Sequence, residues 1–113
     1  MSIKKFEAFE IAVELITQLR PLVALIAQQD RDLAEQIKRA GSSIPLNLAE
    51  GSRRVGRDRG HCFRIAAGSA AEVRAALAVA QGWGYVGAEA GAQANALLDR
   101  VLAMSWRLTH PRP

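Results

Sequence analysis

Apolar residues return every three or four positions in four separate stretches of this chain, and that period belongs to helices rather than strands. From about Lys5 to Gln28 the repeat is Phe9, Ala12, Ile16, Leu19, Val23 and Ile26. A second stretch starts near Asp30 or Asp32, where Asp32 and Glu35 resemble a capping box, and carries Leu33, Ile37, Ala40, Ile44 and Leu48 toward Arg54. The third, about Asp58 to Trp83, places Phe63, Ala66, Ala70, Val73 and Leu77 on one face. The fourth, about Ala88 to Leu108, repeats Ala90, Ala94, Leu97, Val101, Met104 and Leu108. Composition agrees: 21 Ala and 12 Leu outnumber the 16 Val, Ile and Thr combined, which disfavours an all-β fold. Connections are short, so the expected fold class is all-α, an antiparallel up-down four-helix bundle forming one domain over residues 1–113.

Proline and glycine test that reading. Pro21 removes a backbone donor and is expected to kink or split the first helix. Gly41-Ser42-Ser43-Ile44-Pro45 would ordinarily mark a break, but the apolar stripe keeps its phase across it. One Pro-kinked second helix is therefore expected, with Pro45 setting the kink. His110-Pro111-Arg112-Pro113 should fray.

Two helices have a second face to account for. Arg39, Ser43, Asn47, Glu50 and Arg54 form a polar stripe about 100° from the apolar one on the second helix. Gly51 falls on the core face, where it permits close helix approach. On the third helix Ile65, Ala76 and Val79 lie away from the core face, with Glu72 seven residues from both Ile65 and Val79. A helix that is apolar nearly all round is usually buried on both sides. The expectation is a homo-oligomer in which this flank meets a neighbouring subunit and Glu72 finds a basic or hydroxyl partner there.

The chemistry points away from catalysis. With two histidines, one of them in the tail, the chain cannot supply the paired Glu-x-x-His of a di-iron bundle, so no metal site is expected. His61 and Cys62 are adjacent and diverge by about 100° on a helix, so they form no thiolate–imidazole pair. Neither Ser42 nor Ser43 has a histidine at activating spacing, and no phosphate-binding glycine motif occurs. The reading is therefore no enzyme and no cofactor. A pocket with convergent carboxylates from Glu50 or Glu72 would be needed to reverse it. The longest apolar runs are six residues, Leu22–Ala27 and Ala75–Ala80, against roughly 20 for a membrane span. The opening residues reach Glu7 and Glu10 without an apolar run, so no secretory signal is expected, and one cysteine forms no internal disulfide; the expected location is the cytoplasm.

Charge is unevenly spread. The net charge is +4, yet residues 38–74 hold eight basic and three acidic side chains, so the middle third carries the excess. Twelve of the 15 basic residues are arginine, which suits planar recognition of phosphate. Lys38, Arg39, Arg53, Arg54, Arg57, Arg59 and Arg64 are the candidate nucleic-acid-binding residues, gripping an RNA or DNA backbone without reading sequence. Aromatics are too few beside them for a base-stacking platform. The competing reading is a protein-interaction adaptor whose arginines meet an acidic protein.

The stretch Ser42 to Arg54 (SSIPLNLAEGSRR), followed by Phe63 to Val73 (FRIAAGSAAEV), resembles the bacterial four-helix-bundle proteins of the 23S rRNA intervening sequence family. That family includes the accessory variability proteins of diversity-generating retroelements. The residues carrying the resemblance are Ser43, Pro45, Asn47, Glu50 and Gly51, then Ile65, Ala66, Gly68, Ser69 and Glu72. Phe6 to Leu19 and Leu97 to Leu108 fit as well, so it spans nearly the whole chain. The resemblance implies a kinked second helix and a homopentameric ring. For retroelement members it implies binding of nucleic acid and of a reverse transcriptase. Ser43, Asn47, Glu50, Ser69 and Glu72 are assigned to scaffold hydrogen bonding and assembly. Two features depart from the family pattern: the entry Gly56-Arg57-Asp58-Arg59-Gly60 lacks the usual Ser or Thr cap, and Pro21 is unusual.

Overall fold

Four α-helices and no strand make up the described residues of the protein. The structure is a computed structural model that describes the backbone of residues 3–110 and the side chains of residues 7–110. Helix α1 spans Ile3–Gln29, α2 Arg31–Ser52, α3 Gly56–Gly82 and α4 Ala92–Thr109. At 1.5 Å per residue the two 27-residue helices are each about 40 Å long. The molecule measures 45 × 22 × 19 Å, so these helices lie along its length. Both α2 and α4 pack against α1 and α3, which closes a cycle of four neighbours around one core. Leu15, Ile26, Ile37, Ile44, Leu48, Phe63, Val73, Leu77, Leu98 and Val101 are fully buried in it. Buried alanines between them, such as Ala40, Ala66 and Ala70, keep the helix surfaces shallow enough for close packing.

Several boundaries differ from the sequence expectation, each for a local reason. Helix α1 runs through Pro21 without splitting. Proline removes the intrahelical donor to the carbonyl four residues earlier, here that of Thr17, and both residues are exposed, so the carbonyl is not left in the core. In α2 the cap is Asp30, whose Oδ1 accepts the Leu33 N–H at 3.0 Å; Asp32 instead lies in the first helical turn. Helix α2 contains Gly41 to Pro45, as the unbroken phase of its apolar stripe predicts. Helix α3 begins at Gly56, before the expected Asp58. Helix α4 begins at Ala92, after the expected Ala88, because the Ala90 N–H bonds to the Gly87 carbonyl and the Ala92 N–H to the Glu89 carbonyl, both turn bonds. Ala76 is 4% exposed and belongs to the core, not to the outward flank of α3. It lies three residues after Val73 and four before Ala80, on the same helix face as those two buried side chains. The fraying expected of Pro111–Pro113 lies outside the described residues.

Candidate nucleic-acid interface

Packing of α2 on α3 dictates where the arginine-rich turn points. Gly51 is buried against the Phe63 ring, and a Cβ at that position would lie 2.5 Å from Phe63 Cε1. Only glycine allows this approach, so the last turn of α2 is drawn onto the first turns of α3. Three residues, Arg53 to Val55, then join the helices. Gly56 closes the reversal at φ +63°, a left-handed backbone that favours glycine. Val55 precedes α3 without a side-chain cap and is 81% exposed. The turn therefore projects outward, with its arginines around it.

Those arginines are not equivalent. Arg54 Nε donates to Glu50 Oε2 at 2.7 Å, and its Nη1 lies 3.9 Å from Asp58 Oδ2. The Arg54 hydrogen bond and charge hold the Glu50 carboxyl below the usual glutamate range, with a smaller contribution from Arg53. In turn, Glu50 raises the Arg54 guanidinium. Arg54 is thus already neutralised by its neighbours. Arg53, Arg57 and Arg64 are exposed and Arg59 is half-buried, and none of the four has an ion pair among the described residues. The Arg64 guanidinium folds back beside Gly60, where a Cβ would stand 3.2 Å from Nη1. Between Glu50 and Arg64 five arginines face two carboxylates, a net charge of +3.

Lys38 and Arg39 do not join this cluster. Arg39 precedes Arg53 by fourteen residues, about 21 Å along α2. It lines a shallow depression with Asp32, Glu35, Gln36 and Glu72, a predominantly acidic setting. Lys38 lies on the other flank of α2, over a groove shared with α1. Linear sequence grouped these two cations with the arginines because charge was counted along the chain; helical geometry separates them.

The remaining motif residues tie α2 to α3 or face outward. Ser69 Oγ donates to Ser43 Oγ at 2.9 Å, and Asn47 Nδ2 donates to the same hydroxyl at 3.0 Å and to the Ser43 carbonyl at 2.9 Å. This half-buried knot is the hydrogen-bonded crossing between the two helices. Pro45 is buried in α2, and its missing N–H leaves the Gly41 carbonyl without an intrahelical donor. Ile65 is 38% exposed, Val79 is 47% exposed, and Glu72 is exposed between them. Gly68, Ala71, Ala75 and Ala78 lie exposed beside these three. Reading only the large aliphatics missed these small residues; the signal available was the seven-residue spacing of Gly68 to Ala75 and of Ala71 to Ala78.

The α1–α2 groove was also missed. It encloses about 700 Å³, is walled by Ile16, Leu19, Val23 and Ile37, and has Arg20 and Lys38 on it with no acidic residue in its lining. Its signal was weak, because it depends on two helices whose facing was unknown. Among the described residues, no three His, Cys, Asp or Glu side chains gather in a metal-binding group. No described helix is long and apolar enough to cross a membrane.

Comparison with known proteins identifies the frame in which this geometry occurs. The family model described as 23S rRNA-intervening sequence protein matches residues 4–107. Among solved structures, the chain is similar to a protein of unknown function from the S23 ribosomal protein family of Bacteroides thetaiotaomicron VPI-5482. The two share 19% identity with a TM-score of 0.85, over 96% of this chain and 99% of the other, a likeness of fold. No curated protein matches the sequence.

Proposed function

The chain belongs to the 23S rRNA-intervening sequence protein family, and we propose that it is a non-enzymatic, oligomeric helical bundle that binds RNA, or nucleic acid generally, through the α2–α3 turn. The observation that carries this reading is the outward-projecting turn on which Arg53, Arg57, Arg59 and Arg64 have no acidic partner within the described chain. Guanidinium groups arranged in this way suit phosphate oxygens, and the contact is independent of base sequence. Trp83, 70% exposed, follows the far end of α3 about 40 Å from the turn, so it supplies no stacking surface to it.

Self-association multiplies the effect. The outward face of α3 meets a neighbour, and in a ring of five, the number implied by the resemblance, the net charge reaches about +20. Within each subunit the helices run up-down, and α2 bends at Pro45, where the Gly41 carbonyl lacks its helical donor. The protein acts in the cytoplasm. The competing reading takes the same arginines as a docking point for an acidic protein surface, such as that of a reverse transcriptase.

The test replaces Arg53, Arg57 and Arg59 together by Glu, with mass in solution and retention of a structured RNA measured at two salt concentrations. The expected result is an unchanged mass, RNA affinity lowered at least a hundredfold, and a salt dependence shallower by about three on the log–log scale. Unchanged RNA retention rejects the site. RNA binding absent from the unmodified protein, with an acidic protein still captured, favours the adaptor.

A further inference from the structure

Resting on the self-association just proposed, we infer that the α1–α2 groove of one copy receives the outward face of α3 from a second copy. Two complementary surfaces occur on one chain. The groove is apolar along its walls, carries two cations and no anion, and runs from Ile16 to Ala24, about 12 Å along α1. Arg20 and Lys38 have no ion pair among the described residues. The α3 face from Gly68 to Val79 is about 16 Å long and consists of small exposed residues, with Glu72 as the acid along it.

Size, length and charge therefore agree. Glycine and alanine side chains let a helix backbone settle between two others at the short end of helix-packing distances. Glu72 has no ion pair among the described residues of its own subunit. Seated over the groove it meets Arg20 and Lys38 of the second copy, and the contact with water removed strengthens all three. A large aliphatic ridge would not seat as deeply, and a basic one would be repelled. Ridge and groove are different elements, so the contact is heterologous: each copy offers one of each, and repetition closes a ring or extends a filament.

Two exposed alanines allow each half to be blocked without touching the core. Ala75→Trp obstructs the ridge, and Ala24→Trp fills the groove. Each variant alone is expected to lose the assembled mass and sediment as a 12.2 kDa chain with unchanged helicity. Mixed in equal amounts, they retain one intact ridge and one intact groove between them, so the mixture gives twice that mass and nothing larger. A charge exchange checks the pairing independently. Glu72→Arg dissociates the assembly, and adding Arg20→Glu and Lys38→Glu in the same chain restores it. Assembly that survives Ala24→Trp overturns the groove as the receiving surface while self-association stands, leaving the groove to another occupant. Assembly that survives Ala75→Trp overturns the ridge. A monomeric unmodified protein overturns both this inference and the self-association beneath it.

Discussion

The two sides of α3 are made from nearly the same residues and live in opposite surroundings. On the inner side Ala66, Ala70, Val73 and Leu77 are fully or almost fully buried, with Phe63 beneath the arginine turn. On the outer side Gly68, Ala71, Ala75, Ala78 and Val79 are exposed. Hydropathy alone does not separate them. What separates them is size along the middle of the helix: the inner side has a ring and branched side chains to fill a three-dimensional core, whereas the outer side between Ile65 and Val79 is flattened to Gly68, Ala71, Ala75 and Ala78 around Glu72. A core needs volume at close packing, but a docking ridge needs only the absence of obstruction. The position of Glu72 sharpens the contrast, since no carboxylate interrupts the inner side.

This contrast predicts unequal responses. Phe63→Ala opens a cavity beside Gly51 and is expected to cost about 3–5 kcal/mol in urea unfolding. A loss under 1 kcal/mol would place the ring outside the core. Ser69→Ala removes the hydroxyl that crosses from α3 to Ser43, for an expected loss of about 1 kcal/mol. On the outer side, Val79→Ser should change unfolding by no more than about 0.5 kcal/mol at a protein concentration low enough to dissociate copies. A larger loss there would mean that the outer side is already packed within one subunit.

The smallest effect concerns acid. Arg54 favours ionised Glu50 in the folded protein, so the stabilisation is complete above the ordinary glutamate pKa and is lost as pH falls through the lowered value. Both side chains are solvent-exposed, which keeps the contribution modest. Carboxyl-detected NMR should show Glu50 titrating below the ordinary range, and Arg54→Ala should return it upward. An unmoved titration would remove Arg54 as the cause.

How much of this was legible beforehand depends on the range of the interaction. Four stripes of apolar residues identified four helices, because each stripe is a local pattern of 3.6 residues per turn. The continuity of α2 across Pro45 was legible too, since a genuine break would have shifted the phase of Ile44 and Leu48. Of the two outcomes expected at Pro21, a kink or a split, the structure excludes the split, because the Thr17 carbonyl that loses its donor is on an exposed turn, a matter of position in the fold. The start of α4 misled because Gly87 to Gly91 form turn bonds that compete with a helical pattern already weak there. Ala76 was placed outward because a small residue near the boundary of a stripe carries little angular information. The arginines of the α2–α3 turn were legible as a cluster because they are contiguous. Lys38 and Arg39 were not separable from them, because the distance that divides them lies along a helix axis.

Asp30 has a second role besides starting α2. Its other carboxylate oxygen accepts the Tyr85 hydroxyl at 3.4 Å, and the tyrosine's pKa is raised by burial and by that carboxylate. The α1–α2 and α3–α4 connections are thereby stitched together at one pole of the molecule. The arginine-bearing turn sits at the other, about 33 Å away along α2, where the Phe63 ring packs on Gly51 and Arg54 bridges Glu50 and Asp58. Amide exchange should therefore be faster around the 81% exposed Val55 than beside Tyr85, where one carboxylate joins two connections.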